Sequence, residues 1–272
     1  MSRKVRDTAL VVAGSAVLIG LWQFSAARQP AVLVPSPVET ARALGRLAAD
    51  GVLHTEVVRS LGRALTGSVL ALLIGVAWGL VGGGSSVADG LGRPLRAVLL
   101  GIPPIVPVVM GMVWWGGGGE VPVFVATLVS VPVVAVTIAE AVRALDPDLK
   151  EMATAFRVPL AHRLRHLVLP ALTAPLLASV ALVTTTSLRT VIMAELLAAP
   201  DGVGARIATA RTNLATDEVF AWAAVAVAVA LLAEHLLIGP LRRRARRWQR
   251  DTATSGSGGG TTGEPVLERT LP

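Results

Sequence analysis

The chain has 272 residues, of which 53% are hydrophobic, 16% charged and 4% aromatic, and its mean hydropathy is +0.65. A soluble globular domain carries about a quarter charged residues, so the composition excludes that class and predicts a multi-span membrane protein. The net charge of +7 does not indicate nucleic-acid binding, because Lys and Arg lie between apolar runs, and the absence of cysteine excludes disulfides and Cys-based metal or redox sites.

Six stretches are apolar enough to form a membrane-spanning helix of about 20 residues. They are residues 9–27, 64–81, 97–115, 121–139, 171–188 and 219–238. We interpret the first as a span and not as a signal peptide, because its apolar run is longer than the core of a signal peptide. The fold class expected is therefore all-α, with about six transmembrane helices over residues 9–250. Residues 1–8 form an N-terminal segment, and residues 251–272, rich in Gly, Ser and Thr, are predicted to be disordered.

Two segments beside the second span have their own signatures. In residues 35–50, Ser36 is a suitable N-cap and Pro37 a suitable first helical residue, so we predict a short amphipathic helix on the outer surface. Residues 82–94, GGGSSVADGLGRP, are rich in glycine but lack the Lys of a phosphate-binding loop. We predict a flexible turn there.

The distribution of basic residues predicts the orientation. With the N-terminus in the cytoplasm, 17 of the 25 Lys and Arg residues lie in cytoplasmic segments and 7 outside, while Arg189 lies in or near a span. The positive-inside rule then places both termini, and the loop between the fourth and fifth spans, in the cytoplasm.

That loop, residues 146–170, contains signals for two short helices. Asp146 and Pro147 begin a helix that we expect to end near Phe156, and Pro159 begins a second one that runs to about His166. Pro170 then opens the fifth span. Two exposed helices with an apolar stripe and a charged rim form a typical docking surface, although they could instead lie on anionic lipid.

Polar residues at membrane depth are candidates for a transport pathway, because they are costly there. In the fifth span these are Thr185, Thr186, Arg189 and Glu195. The threonines could equally bond the preceding helical turn, and Arg189 and Glu195, six residues apart, face largely different sides. No group of residues has metal-ligand spacing.

The loop carries a resemblance to a known family. It contains Glu151, Met152 and Ala153, then Arg157 four positions after Ala153, and finally Leu167 to Pro170. This pattern resembles the EAA loop of permease subunits of binding-protein-dependent ABC importers. Further stretches resemble the nitrate, sulfonate and taurine branch of that family. They are LVPSPVETARAL, RSLGRALTGSVLALLIGVAWGLVGG, PIVPVVMGMVWWGGGGEVPVF, EAVRALDPDLKEMATAF and MAELLAAPDGVGARI.

The resemblance implies a type I importer fold in which the loop forms coupling helices that dock into a groove on a cytoplasmic ATPase. The coupling residues would be Glu151, Met152, Ala153, Ala155, Phe156, Arg157, Leu160, Arg163, Leu164, Leu167 and Pro170. Among them, the apolar members would fill the groove, while Glu151 and Arg163 would set the register at its rim. Arg157 stands where the family has a turn glycine, so the turn is either right-handed or strained.

The resemblance also implies the partners. They are two ATPase subunits that bind ATP and Mg²⁺, a second permease copy, and an extracytoplasmic binding protein, so this chain needs no cofactor and is not itself an enzyme. The substrate would be a small anionic or polar solute such as nitrate, taurine or a sulfonate. The alternative is a membrane enzyme or assembly factor whose loop binds lipid or a non-ATPase partner.

Overall fold

The structure, a computed structural model, describes residues 3–30 and 32–235. Within these ranges the chain is helical and has no strand, which confirms the all-α class. The helices are α1 Arg3–Arg28, α2 Pro37–Ala49, α3 Val52–Gly84, α4 Ser86–Gly101, α5 Ile105–Trp115, α6 Glu120–Arg143, α7 Pro147–Ala155, α8 Leu160–Arg163, α9 Leu169–Ala198, α10 Val203–Thr212 and α11 Thr216–Ala233. A π-helical turn, Leu164–Val168, joins α8 to α9.

Five helical stretches of the described chain are long and apolar enough to cross a membrane. They are Ala9–Arg28, Val52–Gly84, Glu120–Arg143, Ala161–Thr212 and Thr216–Ala233, and the α4–α5 pair could add a sixth as a broken span. The expectation of about six spans is thus confirmed. The predicted end of the sixth span at residue 238 and the tail 251–272 lie outside the described residues.

The third span differs from the prediction of one continuous helix over residues 97–115. Helices α4 and α5 meet at a bend of 96°. Ile102, the residue before Pro103, is extended, with φ −72° and ψ 122°. Proline disfavours the helical conformation in the residue before it and cannot donate a helical hydrogen bond, so the Pro103–Pro104 pair explains the break.

The flexible turn predicted over residues 82–94 is also wrong. Helix α3 continues to Gly84 and α4 begins at Ser86, so Ser85 is the one residue in this stretch that leaves the helix. Ser85 is extended, and its hydroxyl accepts a hydrogen bond from the Ala88 N–H at 3.3 Å. Glycine in a transmembrane helix is tolerated, so its abundance here did not mark a turn.

Helices α3 and α6 run parallel and pack closely against each other along their length. Four glycines of α3 make this approach possible, because a Cβ on any of them would lie within 3 Å of a side-chain Cβ on α6. The pairs are Gly67 with Ala126, Gly75 with Val134, Gly79 with Ile138 and Gly83 with Val142. Such a row of small residues is how helices associate in a membrane, where the hydrophobic effect does not drive packing between spans. Helix α9 packs on this pair and completes the core with Leu172 and Val183.

Helix α2 begins as the sequence predicts. The Ser36 N–H donates to the Glu39 carboxylate at 2.8 Å, and the Ser36 hydroxyl accepts from the Glu39 N–H at 3.3 Å, which forms a capping box. These hydrogen bonds hold the pKa of Glu39 below its ordinary value. The apolar side chains Leu44 and Leu47 pack against a cluster formed by Val203 of α10 with Trp222 and Val225 of α11. The helix therefore covers α11 instead of lying free on the surface.

The bundle has two ends that the site description uses. The loop end contains the ends of α3 and α6, at Gly84 and Arg143, together with α7, α8 and the π-helical turn. The far end contains the start of α3 at Val52 and the end of α9 at Ala198.

Candidate functional site

The turn between α7 and α8 adopts a defined geometry. The Arg157 N–H donates to the Thr154 carbonyl and the Val158 N–H donates to the Ala153 carbonyl, both at 3.0 Å, which is the pattern of a Schellman motif. Arg157 itself has a φ of 49°, so it occupies the left-handed position that glycine fills at least cost. Of the two geometries that the sequence left open, the structure has the strained one, at a cost of roughly 1–2 kcal/mol.

A second contact holds the two short helices together. The Arg163 guanidinium donates from Nε to the Val158 carbonyl at 3.0 Å and from Nη2 to the Ala153 carbonyl at 2.6 Å. These carbonyls belong to the end of α7 and to the turn, where helices leave acceptors unpaired. Arg163 therefore braces the loop internally, and its role at the rim of a docking groove stays a prediction.

The second short helix continues into the span without a break. Helix α8 passes into the π-helical turn, in which the Leu169 N–H donates to the Leu164 carbonyl, and α9 follows at once. Pro170 lies in the first turn of α9, where it has no N–H to complete an ordinary helical bond, and a π-helical turn before it accommodates that loss. The expected end near His166 is therefore wrong. The loop is mechanically continuous with a helix that reaches the far end.

The loop exposes an apolar stripe on α7. Leu149, Met152 and Phe156 follow one another at helical spacing, and their exposed fractions are 40%, 53% and 77%. Leu164, after α8, is 42% exposed. Exposed apolar side chains in a group are typical of an interaction surface. Leu149 was not among the predicted residues, although its spacing from Met152 and Phe156 marks it.

The other predicted coupling residues have different environments. Glu151, Ala155, Arg157 and Pro170 are exposed, and Leu167 is half-buried. Leu160 is the first residue of α8. Ala153 is only 7% exposed, so it packs inside this chain and is not available to a partner.

The threonines predicted for a pathway bond their own helix. The hydroxyls of Thr185 and Thr186 donate to the carbonyls of Ala181 and Leu182, four residues back, at 3.1 and 2.8 Å. This is the packing alternative that the sequence left open.

Arg189 and Glu195 lie on different sides of α9, as the spacing indicates. The Arg189 side chain is 67% exposed and lies 3.9 Å from the carboxylate of Glu234, the residue that follows α11. Arg189 and Glu234 line a groove of about 340 Å³ whose other walls are apolar side chains of α9 and α11. Glu195 is fully buried.

Glu195 belongs to an ionic cluster that joins α3, α9 and α10 at the far end. Its carboxylate accepts from the Ser60 hydroxyl at 2.7 Å, from Arg63 at 2.8 Å and from the Gly204 N–H at 3.2 Å. Arg63 also binds the Asp201 carboxylate. These contacts tie the end of α9 to α3 and α10, and a pathway role for Glu195 stays a prediction.

A neighbouring buried acid extends this cluster. Glu56, which is 2% exposed, accepts from the Gly202 N–H at 2.6 Å and from Arg206 at 2.7 Å. Neither Glu56 nor Arg206 was predicted as a site residue. The available signal was that each is a charged residue close to an apolar span. A charge that is buried there must be paired, which predicts a partner of opposite charge.

Comparison with known proteins decides the family. The family described as "Binding-protein-dependent transport system inner membrane component" matches residues 71–239 of the chain. The chain belongs to this family.

This permease is similar to two curated transport proteins. It is 26% identical to the taurine transport system permease protein TauC of Escherichia coli (strain K12) over 89% of this chain and 90% of that protein. It is 24% identical to a Bacillus subtilis (strain 168) sequence described as the aliphatic sulfonates transport permease protein SsuC, over 86% of this chain and 85% of that one.

The permease also shares the fold of a solved structure. An inward-facing conformation of the MetNI methionine ABC transporter superposes with a TM-score of 0.61 at 18% identity, and the match covers 72% of this chain and 95% of that one. The chain is therefore a multi-pass membrane protein with the fold of an ABC importer permease. These findings do not favour the alternative of a membrane enzyme or assembly factor. In the described part of the chain, no group of three His, Asp or Glu side chains could hold a metal ion.

Proposed function

We propose that this permease forms half of the path of an ATP-driven importer and that the loop over residues 146–170 is the surface on which a cytoplasmic ATPase docks. The observation that carries the proposal is the exposed stripe of Leu149, Met152 and Phe156 at a helix whose end is hydrogen-bonded by Arg163 of the same chain. An apolar helix face presented in a fixed orientation suits a groove on a partner. Preorganisation of this kind lowers the entropic cost of binding.

The helix connections supply a route for coupling. Helix α8, the π-helical turn and α9 are continuous, so displacement of the docked loop moves one end of a 30-residue helix whose other end holds Glu195 in the far-end cluster. Closure of the ATPases would in this way reach the opposite side of the membrane. ATP and Mg²⁺ belong to the ATPase in this proposal, and this chain supplies no catalytic residue.

The proposed assembly has two permease copies, most simply identical, with two ATPases at the loop end and a binding protein at the far end. The loop end and both termini then face the cytoplasm, as the distribution of basic residues indicates. A single cysteine in place of Ser255, in a residue range outside the described structure, tests the orientation. It should react with a membrane-impermeant thiol reagent only after the cytoplasmic side is opened, and reaction from outside in sealed cells would contradict the orientation.

For the substrate we propose a small organic sulfonate or a similar anion. TauC and SsuC bear the names of taurine and aliphatic sulfonates, respectively, and both are similar to this chain over most of its length. The exposed guanidinium of Arg189 at membrane depth is compatible with an anionic solute.

The substitution Ala155→Asp tests the docking proposal. Ala155 is the exposed last residue of α7, so an aspartate there would bring an unpaired carboxylate into the interface, at a cost of several kcal/mol. We expect loss of the ATPase on co-purification and loss of ATP-driven uptake, with normal insertion of the spans. Ala49→Asp is the matched control, because Ala49 is the exposed last residue of the short helix α2 at the far end. An Ala155 variant that keeps its ATPase and transports normally would refute the proposal.

A further inference from the structure

Two histidines lie side by side at the loop end. His162 belongs to α8 and His166 to the π-helical turn that follows it, and both residues are exposed. Their imidazole rings are neighbours, with centroids 5.3 Å apart and ring planes at 35° to each other. The fold therefore presents two imidazoles together on an exposed side of the loop.

The separation of the rings is that of two ligands of one metal ion. A Zn²⁺ ion lies about 2.0–2.1 Å from an imidazole nitrogen, and therefore about 3.2 Å from the centroid of the ring. With a tetrahedral angle between the two bonds, the centroids of two such rings are about 5.2 Å apart. The observed separation of 5.3 Å agrees with this value. Rotation of the two exposed side chains then suffices to direct one nitrogen of each ring at a shared ion.

The imidazoles are available to a ligand. Within the part of the chain that the structure describes, no hydrogen bond or ion pair engages either ring. Two arginines lie beside the pair in sequence. The Arg163 guanidinium is directed towards α7, where it binds the carbonyls of Val158 and Ala153. Arg165 is exposed, so the solvent screens its charge.

The ligand type selects the class of ion. Two histidines four residues apart on a helix share one face, so this pair is an exception to the expectation that no residues have metal-ligand spacing. Neutral imidazole suits Zn²⁺, Ni²⁺ and Cu²⁺, whereas Mg²⁺ and Ca²⁺ prefer oxygen ligands. No group of three possible ligands occurs among the described residues, so water would complete the coordination of the ion.

We propose that His162 and His166 form a two-ligand site for a divalent transition-metal ion such as Zn²⁺. The ion ties α8 to the π-helical turn, because each of these elements supplies one ligand. The loop passes into α9 at this point, so a bound ion stiffens the junction between the loop and the span. Metal binding is a property of this chain alone and does not depend on the docking of an ATPase.

Isothermal titration calorimetry of Zn²⁺ into the purified full-length chain, in detergent and without an affinity tag, tests the site. The variants are His162→Gln and His166→Gln, which should fold because both residues are exposed. His54→Gln is the matched control, since His54 is an exposed histidine on α3 at the far end with no other histidine within four residues of it. A separate titration with Mg²⁺ is the control for the ion.

We expect wild type to bind Zn²⁺ in preference to Mg²⁺. Each loop variant should bind Zn²⁺ at least about tenfold more weakly, because even the loss of a residue that only supports a metal ligand costs about tenfold or more. His54→Gln should bind as wild type does. Unchanged affinity in either loop variant, equal binding of Mg²⁺, or an equal loss of affinity in His54→Gln would each overturn the proposal.

Discussion

Truncation of Phe156 should weaken ATPase binding more than any other single truncation in the loop. Phe156 is 77% exposed, more than Met152 or Leu149. A buried aromatic side chain covers roughly 150–250 Å², so docking can remove about 150 Å² of this one from water. At about 25 cal/mol per Å², that area corresponds to ~4 kcal/mol as an upper bound. Because the Cβ remains in Phe156→Ala and docking also has ordering costs, we expect a loss of about 2–3 kcal/mol, or roughly 30- to 150-fold in Kd.

The assay titrates the purified ATPase onto the detergent-solubilised permease and follows binding and binding-protein-stimulated hydrolysis. Phe24→Ala is the matched control, because Phe24 is an exposed phenylalanine, 55% accessible, on α1 near the far end. The control should bind the ATPase as wild type does. If Phe156→Ala binds within twofold of wild type, the stripe on α7 does not carry the interface, and the lipid-surface interpretation of the loop gains support.

Three further predictions concern packing, backbone strain and the pathway. Gly75→Ala should destabilise the permease by about 1–3 kcal/mol, because the new Cβ would lie 2.6 Å from a side chain of α6. Gly62→Ala is the control and should stabilise slightly, because open space surrounds that position. Thermal unfolding in detergent measures both variants, and equal melting temperatures would contradict the close approach of α3 and α6. Arg157→Gly should stabilise the chain by about 1 kcal/mol because it relieves a positive φ, and a lower melting temperature would contradict that geometry. Arg189→Glu should reduce anion uptake at least about tenfold in an assembled complex, because a reversed charge in a low-dielectric path costs more than about 1.4 kcal/mol. Normal uptake would show that Arg189 is not part of the pathway. A complex that fails to assemble would indicate a packing role for Arg189.

Features with a local cause could be predicted from the sequence. The spans follow from hydropathy, and the starts of α2 and α7 follow from Ser36 with Pro37 and from Asp146 with Pro147. The apolar positions of α7 were also visible, since helical spacing places them on one face.

Features that depend on distant residues could not be predicted. Ser60 and Glu195 are 135 residues apart in sequence, and no local pattern pairs them. In the sequence, Arg163 is one charged residue in a loop. Its hydrogen bond to the Ala153 carbonyl depends on the relative orientation of α7 and α8, which the sequence does not show. The third span was predicted as one helix although Pro103 and Pro104 lie within it, and the angle of 96° between α4 and α5 depends on how these helices pack on the rest of the chain.

Site-specific cross-linking tests the central claim most directly. The chain has no cysteine, so Phe156→Cys creates a unique thiol on the exposed stripe, and Leu214→Cys creates one at a residue 75% exposed near the far end. In the assembled importer, a short thiol-reactive cross-linker on residue 156 should join the permease to the ATPase subunit, and the same reagent on residue 214 should not. Cross-linking of the ATPase from residue 214, or its absence from residue 156 in a complex that hydrolyses ATP, would contradict the assignment of the loop as the coupling surface.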